Sequence, residues 1–257
     1  MIPWLEDHHP FPDTRLALGP QTDAPGLLAA SAGIPLHRLQ AAYRHGIFPW
    51  FSDGQPVLWW TTDPRMVLSV SDFKLTRSLR KTIQRFRRTP GCEIRVDSAI
   101  AEVLDACATA PRQGQNGTWI LAPVREAYLA WHAQWRAGRH QGLRMPSGVH
   151  SIETWIDGQL AGGLYGVNVG GMFFGESMFA RQTDASKIAL AALVCLCRQA
   201  GIPLIDCQQE TSHLASLGAR PIPRTQFEAH LNGVIDRPAP QDWSYHDQIW
   251  DHLVPPA

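Results

Sequence analysis

Glu176, Asp206 and Gln208 are the residues of this chain whose types and surroundings point to chemistry. Glu176 stands in GGMFFGESMFAR and Asp206 in IPLIDCQQ, apolar and β-prone runs in which an ionised carboxylate is costly without a partner or a task. Residues two apart along a strand face one side, so Asp206 and Gln208 are expected to point together with Cys207 opposite. Glu176 is expected on a neighbouring strand. A carboxylate beside a neutral amide suits orienting an amine nucleophile and moving its proton. The plainer alternative is that these groups only hydrogen-bond the ends of strands.

Other chemistries find no support. There is no phosphate-cradling GxxxxGKS/T, no GxSxG nucleophile elbow, no HExxH and no GxGxxG between a strand and a helix. Ser177 in GESMF lacks the second flanking glycine and reads as structural. His45 and His213 are isolated and read as surface or hydrogen-bonded groups. The five cysteines, Cys92, Cys107, Cys195, Cys197 and Cys207, form no CxxC pair and have no zinc-like histidine spacing. They read as buried, reduced thiols. No metal and no cofactor is expected.

The elements that must position the polar residues are legible around them. From Ser151, two strand-like runs joined by Asp157-Gly158 lead through Gly170-Gly171 to a third that carries Glu176. A long apolar helix follows, then the strand with Asp206 and Gln208. Upstream, residues 1 to 34 read as an extended, Pro- and Gly-rich lead-in with one apolar segment, GLLAAS. Pro35 to Arg44 reads as a helix ended by Gly46, and GIFPWFSDGQPVLWW as a hairpin about Asp53-Gly54. Trp50, Phe51, Trp59 and Trp60 crowd that hairpin, as core or as the lining of a pocket. A strand near Ile94, a helix capped by Asp97 or Ser98, a polar loop feeding a short strand with Trp119, and a helix from Pro123 to Arg136 come next. Residues 137–149 read as a surface loop, and the Trp-rich tail from Arg237 as surface wrapping.

One segment carries a strong charge signal. FKLTRSLRKTIQRFRR holds seven basic residues and no acid. Lys74, Arg77, Lys81, Arg85 and Arg88 recur at helical spacing opposite a stripe of Leu75, Leu79, Ile83 and Phe86. A one-sign face of this kind suits the phosphate backbone of a nucleic acid, the alternative being a solvated face. The chain as a whole is neutral, with 18% charged residues among 257, so local clusters decide its electrostatics. The N-terminus lacks a basic start and an apolar core, and no run approaches ~18 apolar residues. A soluble, cytoplasmic protein with no membrane partner is expected.

The motifs GIFPWF, LWWTTDPR, GTWI, SIETW, FFGESMFAR, ASK and LIDCQ, then HLASLGA and IPR, fall in this order. Over roughly residues 25 to 235 they closely resemble the bacterial leucyl/phenylalanyl-tRNA protein transferase family. The resemblance implies an α+β protein: a small N-terminal α+β domain (residues 1–70) followed by a GNAT-like acyltransferase domain (residues 71–257), with no acetyl-CoA and no metal. It implies transfer of Leu or Phe, with Met as a further donor, from aminoacyl-tRNA to proteins with N-terminal Arg or Lys, marking them for degradation. Tyr43, Trp50 and Trp119, with Tyr128, would receive the 3′-terminal adenosine and the aminoacyl group. Leu164 and Phe173 would line the pocket for the Leu or Phe side chain. Asp206 would assist deprotonation of the attacking α-amine, Gln208 would relay or orient, and Glu176 would hold polar groups of the substrates.

Three departures from the family pattern stand out. PGLLAASAGIP replaces the usual NGLLA and Gly-Asp turn, residues 137–149 look longer than the corresponding loop, and Leu164 stands where Met is common. The competing readings are a GNAT-like acetyltransferase of a small amine and a tRNA-binding module without catalysis.

Overall fold

The computed structural model describes residues 2–110 and 118–254. A small sheet comes first. It comprises β1 (Trp4–Leu5), β2 (Leu27–Ser31), β3 (Phe48–Pro49) and β4 (Val57–Trp60), in the order β1-β2-β4-β3, with α1 (Leu36–Arg44) between β2 and β3 in the chain. The β3–β4 hairpin is the one expected. β2 lies within the expected lead-in, and all five of its residues are buried, so GLLAAS is core.

The large sheet is built from β5 (Arg65–Ser69), β6 (Cys92–Val96), β7 (Ser147–Ile156), β8 (Gln159–Val169), β9 (Met172–Ala180), β10 (Leu204–Gln208) and β11 (Arg220–Ile222). Its order is β11-β5-β10-β9-β8-β7-β6. Every neighbouring pair is antiparallel except β9–β10, which is parallel and is joined through α5 (Ala185–Gln199). The remaining helices are α2 (Arg77–Arg88), α3 (Ile100–Thr109), α4 (Ala122–His140), α6 (Ser212–Ser216) and α7 (Arg224–Val234). β5, which falls within the expected N-terminal domain of residues 1–70, is a strand of the large sheet, so the chain changes sheets between Trp60 and Arg65.

Two cores flank the large sheet. On one face α1, α3, α4 and the small sheet share a core that includes Leu28, Tyr43, Trp59, Tyr128 and Val167. On the other, α2 and α5 pack with the C-terminal tail. α5 is buried without a break from Ile188 to Cys197, and a helix apolar all round needs cover on its outer side as well. Tail residues Ile249 and Trp250, both 0% exposed, provide it. The tail is therefore core rather than surface wrapping. No helix among the described residues is long and apolar enough to cross a membrane.

Two further expectations change. α4 runs on to His140, into the expected loop; a Cβ on Gly138 would lie 2.1 Å from the Met145 sulfur, so only glycine lets that side chain cross the helix. Trp119 sits in a bend before α4 rather than in a strand, and most of the preceding polar loop, residues 111–117, lies outside the described residues.

The SIETW motif is a structural device. Glu153, fully buried, accepts hydrogen bonds from the Ser98 hydroxyl, the Ala99 N–H (2.8 Å), the Ser151 hydroxyl (2.7 Å) and the Trp155 indole N–H (3.0 Å). It thereby ties the start of α3 to the middle of β7. Glu153→Ala leaves these donors unanswered and should cost about 2–4 kcal/mol, with Glu153→Gln losing about half as much. Urea midpoints of the two variants test this.

Candidate active site

The polar residues lie where β9 and β10 part. The two strands pair only at Phe173–Ile205 and Phe174–Asp206. Beyond Phe174, β9 keeps its partner β8, and the edge facing β10 opens. Both strands bulge at this point. On β9 the register jumps from Gly175–Gly166 to Ser177–Tyr165, making Glu176 the extra residue. On β10 it jumps from Asp206–Val67 to Gln208–Met66, making Cys207 the extra residue, and Gln208 takes φ 53°. Bulges re-aim side chains; here they turn Glu176 and Gln208 toward each other. Glycine at 166 lets β8 lie close against β9 beside the bulge, since a Cβ there would lie 2.3 Å from the Phe174 carbonyl oxygen.

Asp206 is held from below. Arg65 donates to it from Nε (2.8 Å) and Nη2 (2.6 Å), and both side chains are 0% exposed. The guanidinium is flanked by the rings of Phe48 (4.9 Å) and Phe227 (4.6 Å), a cation–π arrangement that steadies a desolvated cation. Asp206 Oδ1 also accepts the Gln208 N–H (3.0 Å), while the Gln208 carbonyl accepts from the Thr62 hydroxyl (3.0 Å). The strained Gln208 backbone is thus gripped on both sides. Asp206, expected as proton acceptor for the amine, is fully buried, and both of its oxygens already accept hydrogen bonds, one of them from the Gln208 N–H.

Glu176 receives the other end of this chain of contacts. Gln208 Nε2 donates to its Oε1 (3.2 Å) and the Tyr128 hydroxyl to its Oε2 (3.0 Å). The Tyr43 hydroxyl lies 2.5 Å from that of Tyr128. Because Tyr128 spends its one proton on Glu176, Tyr43 must be the donor to Tyr128. Glu176 itself is half-buried. Burial pushes its carboxyl up to about 8, against the pull of Tyr43 and Tyr128; the nearby Asp206 adds to the rise and Arg65 opposes it. Burial also holds the Tyr43 and Tyr128 phenols well above their usual range, so both stay donors.

The other expected site residues divide. Tyr43, 0% exposed, packs against Trp131 and Phe174; it supports Tyr128 and does not face the opening. Leu164 and Phe173 lie together in the core shared with α5 and Ile205, with Met178 half-exposed at its edge. Trp50 stacks edge-on with Trp60 in a cluster with Leu27 and Phe48, and the Phe48 ring of that cluster lies against the Arg65 guanidinium. Trp119 packs half-buried against the core of the α4 face. Arg65 was missed, although an isolated charge in RMVLSV is the signal that singled out the acids.

The basic helix folds as expected. Thr76 caps α2 by accepting the Leu79 N–H (3.2 Å), and Leu79, Ile83 and Phe86 are buried. Lys74, Arg77, Lys81, Arg85 and Arg88 are exposed, and among the described residues none of them has an ion-pair partner, whereas Arg87 turns to Asp247 in the tail (2.8 Å). Unpaired like charges at helical spacing repel one another by about 0.2–0.5 kcal/mol per pair. Among the described residues no group of three or more His, Cys, Asp or Glu is placed to hold a metal ion.

Comparison with known proteins gives the family. Residues 67–232 match the family model described as leucyl/phenylalanyl-tRNA protein transferase, and residues 34–63 match that of its N-terminal domain. The break between the two falls where the chain passes from the small sheet to the large one. Leucyl/phenylalanyl-tRNA–protein transferase of Leptothrix cholodnii is 61% identical, covering 98% of this chain and 95% of its own. The protein of the same name from Methylibium petroleiphilum is 56% identical, covering 98% and 91%. Among solved structures, a GCN5-related N-acetyltransferase from Kribbella flavida aligns with a TM-score of 0.34 at 13% identity, covering 71% of this chain and 59% of that one. That likeness is loose, and the α+β class rests on the sheets and helices themselves. Residues 34–63 and 67–232, together with relatives matched along nearly their whole length, establish that the chain belongs to the leucyl/phenylalanyl-tRNA protein transferase family, a family of aminoacyltransferases.

Proposed function

We propose that this protein moves Leu or Phe, with Met as a further donor, from aminoacyl-tRNA to the α-amine of proteins beginning with Arg or Lys. The product marks its acceptor for degradation, and the reaction belongs in the cytoplasm. The observation that carries the mechanism is Glu176, held by Gln208 and Tyr128 at the opening between β9 and β10. The ester of an aminoacyl-tRNA is already activated, so positioning and proton transfer suffice. The α-amine nitrogen attacks the ester carbonyl carbon and the C–N bond forms. The C–O bond to the terminal ribose breaks, and the proton lost by the amine passes through Glu176 to the departing ribose oxygen.

The acidity of Glu176 suits this task. The amine attacks in its neutral form and sheds a proton as the C–N bond forms; a carboxyl raised to about 8, deprotonated beforehand, is basic enough to take that proton and acidic enough to pass it on. A carboxylate in the ordinary range is too weak a base to do so. Leu164 and Phe173, with Met178 at the rim, are assigned to the donor side chain, where an apolar pocket discriminates by about 1–3 kcal/mol per methylene. Trp50 and Trp119 are assigned to the terminal adenosine, to which they offer aromatic faces. The exposed cations of α2 are assigned to the tRNA backbone. Neither competing reading, a small-amine acetyltransferase or a bare tRNA-binding module, draws support from the family match.

The direct test supplies labelled Leu-, Phe- and Met-tRNA with peptides beginning with Arg, Lys or Ala. Transfer from Leu- and Phe-tRNA to the Arg and Lys peptides is expected, and its absence would refute the reading. Replacing Arg77 and Lys81 by Ala should weaken tRNA binding and reduce the slope of log affinity against log salt by about 0.7–0.9 for each phosphate that is no longer neutralised. Titrations between low and moderate salt measure both.

A further inference from the structure

A cleft of about 530 Å³ lies along the flank of α2, at the edge of its basic face where Arg85 stands, between that helix and the segment that leads from β9 into α5. α2 contributes Thr82, Arg85 and Thr89 to its wall, and the segment contributes Arg181, Gln182 and Thr183. Its floor is apolar, with Phe86, Ile156 and Ile188, and no Asp or Glu lines it.

Neither arginine is neutralised by an acid among the described residues. Arg181 donates to the Leu160 carbonyl (3.2 Å) and lies over the Phe179 ring (5.4 Å), both uncharged partners. Arg85 has no ion-pair partner among the described residues, and the carbonyl of its own residue accepts the Thr89 hydroxyl (2.9 Å), which fixes the end of the helix. The nearest acid along the segment, Asp184, is taken by Lys187 (2.8 Å). Two guanidinium groups facing one acid-free cleft repel each other until an anion lies between them. A phosphate is the anion that their planar forks fit best, and hydroxyls and an amide on the walls add neutral donors. The apolar floor offers a surface for the sugar of a nucleotide, and the volume lies within the range of small-ligand sites.

We infer that this cleft binds a phosphodiester of the tRNA backbone, as an anion site that shares Arg85 with the basic face of α2 and adds Arg181 to it. The assignment rests on the reading of the protein as an aminoacyl-tRNA enzyme. Arg181, the first residue after β9, follows Glu176 by five residues, a reach of at most about 17 Å of extended chain. A nucleotide in the cleft would therefore lie a short single-stranded stretch away from the terminal ribose at Glu176. The cleft would grip the strand and aim its 3′ end at the opening.

Equilibrium binding of uncharged tRNA, measured over a salt series with Arg181→Gln, Arg85→Gln and Thr183→Glu, tests the inference. Arg181→Gln should weaken binding about tenfold and lower the salt slope by about 1. Thr183→Glu, which adds a negative charge to the cleft, should weaken it further. These losses should persist in the Arg77→Ala, Lys81→Ala background. Urea midpoints matching the parent protein would show that the variants are folded. Unchanged affinity and slope in both Arg181→Gln and Thr183→Glu would overturn the assignment. So would AMP or CMP binding that depends on Arg181 while tRNA binding does not, since the occupant would then be a free nucleotide. Labelled transfer by the parent protein is run alongside: if it succeeds while tRNA binding ignores Arg181, only the cleft inference fails; if it fails, so does the functional reading.

Discussion

Arg65→Met should destabilise the protein by about 3–5 kcal/mol, because it strands Asp206 as a buried charge without its partner, and should abolish transfer. Neither side chain of this pair has any exposure, so water cannot stand in for the missing guanidinium. The informative variant is the double replacement Arg65→Met with Asp206→Leu. Exchanging a buried ion pair for apolar groups of similar size is often neutral for stability, and the flanking rings of Phe48 and Phe227 already provide an apolar sleeve. The double variant should thus recover most of the stability yet stay inactive, since the carboxylate that fixed the Gln208 N–H is gone. Urea unfolding and the transfer assay on the same samples separate the two effects. Recovery of activity along with stability would mean that the pair serves the fold alone.

Glu176→Gln should slow transfer by about 10²–10⁴, the usual worth of a positioned acid–base group. It should also change how stability depends on pH. The carboxyl is raised in the folded protein from its ordinary value to about 8, so the folded state holds its proton more tightly than the unfolded chain does. The stabilisation is fully present below the ordinary carboxylate range and is lost as pH rises through about 8. The parent protein should lose about 2–3 kcal/mol relative to Glu176→Gln across that window, after allowance for the partial exposure of the residue. Urea midpoints of both proteins on either side of the window measure the difference.

The acids were legible because a charge inside an apolar strand has few innocent explanations. The same reasoning applies to Arg65, whose place at the start of its strand, just after the Asp63-Pro64 step, disguised it as a loop residue. The two bulges left no such mark. Strict alternation placed Asp206 and Gln208 on one face, whereas Cys207 is an extra residue and Gln208 adopts a left-handed backbone. That geometry is imposed by Arg65, Thr62 and the pairing with β5, all distant in sequence. β2 escaped because LLAAS is buried on both faces and shows no alternation. The tail escaped because it packs as extended chain and a short 3₁₀ helix, Asp247–His252, which give no helical period. By contrast, the Asp157-Gly158 hairpin, α5 and the amphipathic α2 were plain, since in each the local pattern and the tertiary environment agree.

The division of roles, with Glu176 as proton acceptor and Asp206 as anchor, is tested most directly by the pH dependence of kcat/KM for an Arg peptide below pH ~7.5, where both the α-amine and Glu176 are protonated. In the parent protein two protons must be lost before transfer, so the slope of log kcat/KM against pH should approach two. In Glu176→Gln only the amine titrates, and the slope should fall to one. Equal slopes in the two proteins would contradict this division and return the search for the base to other groups.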